Sequence, residues 1–387
     1  MAEVNHSERA HAVLSASGSE RWLNCTPSAR LEEHYPEQTS PFAEEGTTAH
    51  EYAELLIKRA TGVERPEVLN VEIQRIRESK WYNADFEMHV ISYVNYVLHL
   101  MQYAKDIDPN AIICTEIRLN YSSYVQDGEG TVDFAGVAAQ RGVIADLKFG
   151  KGVKKEAKNN TQLMLYALGL YSLCPDILSF TLIIHQPRID NISTWEISTY
   201  DLLKWAEETL KPKAKVAFAG TGDLNIGEWC RFCKAKRDCN ALITEFEVLD
   251  DVVNGRKTLT KDVMQRALRN GAMVKSFISS IHEQALQDAL NGNPPEGYKA
   301  VEGKSSRTFT NIREVEARLK ESGLPDHVLY KQELIPLTAI EKALGKKTFA
   351  IGLGDLISYK QSRPTLVSID DERSVISNAN EFEDLDA

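Results

Sequence analysis

The stretch GTVDFAGVAAQRGVIADLKFG, residues 130–150, decides the fold. Residues 131–137 and 142–149 alternate well enough to read as two short strands, with Gln140, Arg141 and Gly142 supplying turn chemistry between them, so a β-hairpin is expected. With the turn centred near Ala139 and Gln140, Asp133 and Asp146 face each other across the strands, where β-carbons lie roughly 4.5–5.5 Å apart. Two like charges so placed repel. Either one carboxylate stays protonated or a cation sits between them, and the hard ions magnesium and manganese prefer such oxygen ligands; the cation is favoured. Alternation along the strand puts Ile144, Asp146 and Lys148 on one face and Val143, Ala145, Leu147 and Phe149 on the other. An Asp-x-Lys pair at a strand end, with a second Asp on the neighbouring strand, suits metal-assisted phosphodiester hydrolysis. The carboxylates hold a metal that polarises the phosphoryl oxygen and acidifies bound water. Lys148 orients that water or offsets charge developing on the phosphate.

The flanks supply the rest of an α/β core. AIICTEIRL, residues 111–119, reads as a strand, residues 159–173 as an amphipathic helix ended by Pro175, and LSFTLIIHQPR and NISTWEIST as two strands around a turn at Asp190 and Asn191. Residues 200–218 read as a further helix. Upstream, a short helix is expected within residues 8–33, then a helix capped by Thr47 or Thr48 and stopped by Gly62, then a helical run over 71–105 broken once. This order implies a mixed sheet flanked by helices. Past Cys239, helix is expected over 259–291, a turn cluster at NGNPPEGY, an extended GYKAVEGKSSRTF, helices near 311–322 and 337–357, and a disordered acidic tail ending NEFEDLDA. The expected domains are 1–250, 251–370 and the tail 371–387.

The chain of 387 residues carries a formal charge of −11, which argues against a surface coated in nucleic-acid contacts but leaves room for a local basic groove. Lys148, Lys151, Lys154, Lys155 and Lys158 cluster directly after the hairpin, as either a solvated loop or a grip on phosphates. No apolar run is long enough to span a bilayer, and MAEVNHSERAHAVL lacks the layout of a secretory signal, so a cytoplasmic location is expected.

Gln162 and Tyr166 lie four apart and share a helix face, and His50 carries an imidazole suited to divalent metals. The spacing Cys230-x2-Cys233-x5-Cys239 suits one metal centre and needs a fourth thiolate. A zinc ion or a cubane iron–sulfur cluster would satisfy it, with Cys25, Cys114 and Cys174 as candidates. Cys114 and Cys174 also read as small core residues; Cys25 does so less readily.

With these residues assembled, the chain resembles the RecB-like branch of the PD-(D/E)XK nucleases, in particular iron–sulfur members such as the CRISPR-adaptation and AddB-type nucleases. It also resembles a phage and prophage family that adds a C-terminal extension. The family's Gly-x-x-x-His falls on Gly46–His50, Gly-x-x-Asp on Gly130–Asp133, (Asp/Glu)-x-Lys on Asp146–Lys148, and Gln-x-x-x-Tyr on Gln162–Tyr166. One early cysteine followed by a late trio falls on Cys25, Cys230, Cys233 and Cys239. The resemblance covers about residues 15–245 and implies a PD-(D/E)XK core of a mixed sheet flanked by helices, an iron–sulfur staple and a smaller α+β C-terminal domain. It implies Mg2+ or Mn2+ on His50, Asp133, Asp146 and the Leu147 carbonyl, with Lys148 serving the water and transition state. Gln162 and Tyr166 would position Lys148 and the DNA strand, and the Tyr166 ring would offer a base a stacking face. Lys151, Lys154 and Lys155 would grip phosphates, and the four cysteines would hold a [4Fe-4S] cluster. The implied activity is a DNA exonuclease acting on single strands or free ends, partnered by a phage recombinase or single-strand-annealing protein. The alternative is a DNA-end-binding or assembly protein that does not cut.

Overall fold

The structure, a computed structural model, describes residues 12–35, 41–301, 318–319, 340–341, 344–353 and 356–357. Its centre is one five-stranded sheet in the order β1 (Ile112–Asn120), β2 (Glu129–Ala138), β3 (Arg141–Leu147), β4 (Ser179–Gln186), β5 (Asn191–Ser198). β3 and β4 are parallel; the other neighbours are antiparallel. The expected hairpin is β2–β3. Ala139 and Gln140 have φ of 46° and 62°, the two-residue turn whose twist matches the strands it joins. Gly142, expected in the turn, is instead inside β3 opposite Val137. A β-carbon there would stand 2.5 Å from the Phe180 ring on β4, so glycine is what lets that ring cross the strand.

Helices cover both faces. α1 (Ser19–Asn24) and α2 (Ser28–Glu32) precede α3 (Pro41–Thr61), α4 (Pro66–Arg77) and α5 (Ala84–Ile107); α6 (Thr161–Leu173) makes the β3–β4 crossover, and α7 (Thr199–Trp205) and α8 (Lys211–Ala219) follow the sheet. Ile144, Leu182 and Ile184 enter a core shared with α6, whereas Ala145, Leu147 and Ile183 enter a second core with Tyr52, Phe86 and Val90 of α3 and α5. Strands covered on both faces read as continuous apolar runs, which is the texture of β4.

Several expectations shift. α6 is not amphipathic: Leu163 through Leu170 are all buried, because the sheet lies on one side and α1 and α7 on the other. α3 begins at Pro41, so Thr47 and Thr48 cap nothing; their hydroxyls bond back to the Ala43 and Glu44 carbonyls at 3.1 and 2.9 Å. His50 therefore lies well inside the helix, which Gly62 closes at φ 68°. The break in the upstream helical run falls between α4 and α5, where the Asn83 side chain caps Phe86 N–H. The helix expected over 200–218 has a π-helical turn, Ala206–Leu210, between α7 and α8.

α9 (Asn240–Val253) and α10 (Lys261–Leu290) follow the cysteine segment, and Met273 and Phe277 of α10 pack with Cys230 and Leu242. The first compact unit consequently runs Met1–Val301, beyond the expected boundary at 250, and the second is Glu302–Ala387. In the second unit α11 (Lys346–Leu353) falls within the helix expected over 337–357; the extended segment after Tyr298, the helix near 311–322 and the tail 371–387 lie largely or wholly outside the described residues. Among the described residues no helix is long and apolar enough to cross a membrane.

Candidate metal centre

The carboxylates meet where the hairpin ends. β2 and β3 pair as far as Phe134 and Ala145; Asp133 and Asp146 are the next residues in that register. With the ladder finished, Leu147 N–H donates to Asp133 Oδ2 at 2.6 Å, and His50 Nδ1 lies 3.1 Å from Oδ1. Asp146 is 3% exposed. Gln162 Nε2 donates to its Oδ1 at 2.9 Å and also reaches Tyr166 Oη at 3.2 Å. Lys148 Nζ donates to Gln162 Oε1 at 2.9 Å and forms an ion pair with Asp146 Oδ2 at 2.8 Å. Beyond that ammonium, the buried Oδ2 has no hydrogen-bond donor. A buried carboxylate oxygen with a single cationic partner keeps a lone pair free to bind a metal ion.

A further acid joins the site. Glu116, midway along β1, opposes Asp133 at a point where β1 and β2 skip one pair. Its φ is 48°, the left-handed region that a residue with a β-carbon enters at a cost of about 1–2 kcal/mol. Ligand atoms of His50, Glu116 and Asp133 lie within 4.8 Å of one another. No motif in the sequence marks Glu116. The available signal is the one carboxylate in β1, whose other charged residue is Arg118, and only the register against Asp133 gives it a purpose.

The electrostatics follow from burial and crowding. Burial opposes the ionised form of Asp133, but His50 and the Leu147 N–H outweigh it and hold this carboxyl below its usual range. Asp146 is raised, by burial first and by the Asp133 charge, with Lys148 opposing. Burial, then Asp133, pushes Glu116 up to about 8. For His50, burial acts downward, yet the neighbouring carboxylates push it up to about 9. Crowded acids whose proton affinities diverge in this way mark a site that a divalent cation would relieve. The donor set of imidazole and carboxylate oxygens suits magnesium or manganese.

Tyr166 is a correction. Its ring is 4% exposed, enclosed between α6 and the sheet, so it supports Gln162 and presents no face to a base. Leu147 contributes its N–H, to Asp133. Lys154 pairs with Glu156 at 2.6 Å and Lys155 with Glu20 at 3.0 Å, and both line a groove that also reaches Lys148 and Gln162. Lys151 does not line that groove; it lies 3.7 Å from Asp85.

Away from this centre, Cys25, Cys230, Cys233 and Cys239 line one small cavity between α1 and the start of α9. Cys114 and Cys174 are not among its lining residues. Among the described residues no three of these sulfurs lie within 4.8 Å of one another. Burial raises the Cys25 and Cys230 thiols and pushes Cys233 up to about 12, while Arg21 draws all three the other way.

The profile of a family described as "Protein of unknown function (DUF2800)" matches residues 11–374. The chain belongs to the DUF2800 family. Among solved structures, a protein from Eubacterium rectale carrying the provisional name of an exonuclease is 10% identical over 60% of this DUF2800 chain and 92% of its own, with a TM-score of 0.33. A second, known by a locus name alone, is 15% identical over 56% of this chain and 95% of its own, at 0.24. At these scores neither carries an argument about fold or activity.

Proposed function

We propose that this protein is a metal-dependent DNA nuclease of the RecB-like PD-(D/E)XK type, acting on single strands or free ends. The observation that carries the reading is the convergence of His50, Glu116, Asp133 and Asp146 beside a lysine held by Gln162. Magnesium or manganese held by these groups would supply phosphoryl polarisation and a more acidic water. The protein's own contribution is placement. Gln162 fixes the Lys148 ammonium against Asp146, ready to offset negative charge on a phosphate entering from the groove. Tyr166 braces Gln162 from behind, and Leu147 N–H fixes Asp133.

The four cysteines around one cavity support a second part of the reading, a four-thiolate iron–sulfur cluster that fastens α1 to the segment before α9. A single zinc ion with bonds of about 2.3 Å draws four sulfurs to roughly 3.8 Å from one another. The recombination role and a recombinase or single-strand-annealing partner rest on the resemblance to the phage and prophage family.

The test is digestion of end-labelled linear and circular DNA, single- and double-stranded, with magnesium or manganese. Cutting of linear single strands is expected, and Asp146→Asn should lose at least about 100- to 1,000-fold of it. Wild-type cutting by that variant refutes the mechanism. Tight end binding without cutting in either metal favours an assembly protein.

A further inference from the structure

We propose that the groove leading from Lys148 to the cysteine segment is the track of a single DNA strand, with Phe232 as the platform on which one base stacks. This extends the nuclease reading and depends on it only for the direction from which the strand reaches Lys148.

The groove holds about 690 Å³ and runs from Lys148 and Gln162 to Trp229, Arg231 and Phe232. Its charge is opposite to that of the protein. Six basic side chains line it (Arg21, Lys148, Lys154, Lys155, Lys158 and Arg231) against the acids Glu20, Glu156 and Glu228, in a chain of net charge −11. The Lys154–Glu156 and Lys155–Glu20 pairs are surface ion pairs, worth about 0–1 kcal/mol each, so a phosphate can displace them. An excess of positive charge along a groove is what a nucleic-acid backbone tracks.

Phe232 gives the groove its selectivity. It lies between Cys230 and Cys233, its side chain is 65% exposed, and of the two aromatics lining this groove it is the exposed one. Its main chain is fixed. Arg21 Nη1 donates to Phe232 O at 3.3 Å, Arg21 pairs with Glu32 at 2.7 Å, and Glu32 Oε1 accepts Lys234 N–H at 2.7 Å. Neighbouring Trp229 is held by its Nε1 donating to Asn225 O at 2.8 Å. The Arg231 guanidinium lies over one face of the Phe232 ring, 5.8 Å from its centroid. A solvent-facing ring on an anchored main chain, with cations around it, suits an unpaired base, whose faces are free to stack. Bases inside a duplex already stack on one another, and a duplex would engage only the lysines.

Binding is measured by fluorescence anisotropy with the full chain in the Asp146→Asn background, using a short labelled oligo(dT) strand and a blunt duplex of equal length. Phe232→Ala should weaken strand binding roughly five- to 150-fold, the factor for removal of one base–aromatic stack, with duplex binding within about twofold. Phe232→Trp should restore strand binding. Lys154→Ala with Lys158→Ala should weaken both probes and flatten the salt dependence by roughly one unit for each phosphate no longer neutralised. Strand binding by Phe232→Ala within about twofold of its parent, or an equal loss on duplex, overturns the platform. If wild type cuts DNA while Phe232→Ala binds normally, the platform fails and the nuclease reading stands. Phe232-dependent strand binding without cutting in either metal keeps the platform and removes the nuclease.

Discussion

Glu116→Gln should stabilise the metal-free protein and weaken metal binding, two effects of opposite sign from one substitution. Two carboxylate charges 4.8 Å apart, the limit within which Glu116 and Asp133 present ligand atoms, repel by about 3.5 kcal/mol at an effective dielectric of 20. Glu116 is only partly buried, so solvent screening reduces this to roughly 1–2 kcal/mol. The folded-state carboxyl is raised from 4.5 to about 8. Its contribution is therefore fully present below pH 4.5 and is lost as pH rises through about 8. In chelator, wild type and Glu116→Gln should melt together near pH 4.5 and diverge as pH rises, with the variant roughly 2–6 °C higher near pH 9. With manganese the order should reverse. Removing an anionic ligand should cost at least the roughly 10- to 100-fold in affinity that follows loss of a supporting partner, and the metal-induced rise in Tm should shrink accordingly. Differential scanning calorimetry with and without chelator, and isothermal titration with manganese, measure the two halves. Equal melting at high pH together with an unchanged manganese affinity would refute the assignment of Glu116 to the metal centre.

Gly142→Ala should destabilise by about 1–3 kcal/mol or more in denaturant unfolding, because its β-carbon would stand 2.5 Å from the Phe180 ring, and Phe180→Leu in the same chain should recover part of the loss. His185, 3% exposed with Nδ1 unpaired, is pushed by burial from 6.5 down to about 4. Stability from its neutral form is present above pH 6.5 and lost as pH falls towards 4, at up to about 1.4 kcal/mol per pH unit, so His185→Leu should flatten that acid limb. Protein purified without oxygen should be brown, with about four irons per chain. Cys25→Ser and Cys233→Ser should both lose the colour while Cys114→Ala keeps it; stoichiometric zinc without iron would overturn the cluster.

The hairpin was legible because alternation, turn chemistry and register are local properties, and they suffice to bring Asp133 opposite Asp146. Gln162 was legible for a similar reason, since helical spacing fixes its face. Burial is not local. Tyr166 shares that face, yet the sheet and neighbouring helices close over it, which spacing alone does not reveal. Glu116 was missed because its purpose comes from a strand thirteen or more positions away and from a positive φ that no residue pattern announces. The expected start of α3 is misplaced because Thr47 and Thr48 are residue types that cap helices, whereas Pro41 opens the helix and both threonines are carried within it.

What makes the site possible is a local failure of the sheet at Asp133. Toward β1, the ladder skips the Glu116–Asp133 position and resumes at Ile117 and Val132. Toward β3, it stops at Phe134 and Ala145. β2 is thus released from both neighbours at one residue, and Leu147 N–H, freed from any partner on β2, is available to the Asp133 side chain. β3 does not collapse into the gap because β4 holds its other edge through the Leu147–His185 pair and the Lys148 N–H to His185 O bond of 2.9 Å. The parallel crossover through α6 is therefore more than a connection. It braces the strand that carries Asp146 and Lys148, and it delivers Gln162 to bridge them. A hairpin lacking β4 would have neither support, which is why the two-carboxylate motif requires the whole α/β core to hold its candidate cation ligands in place.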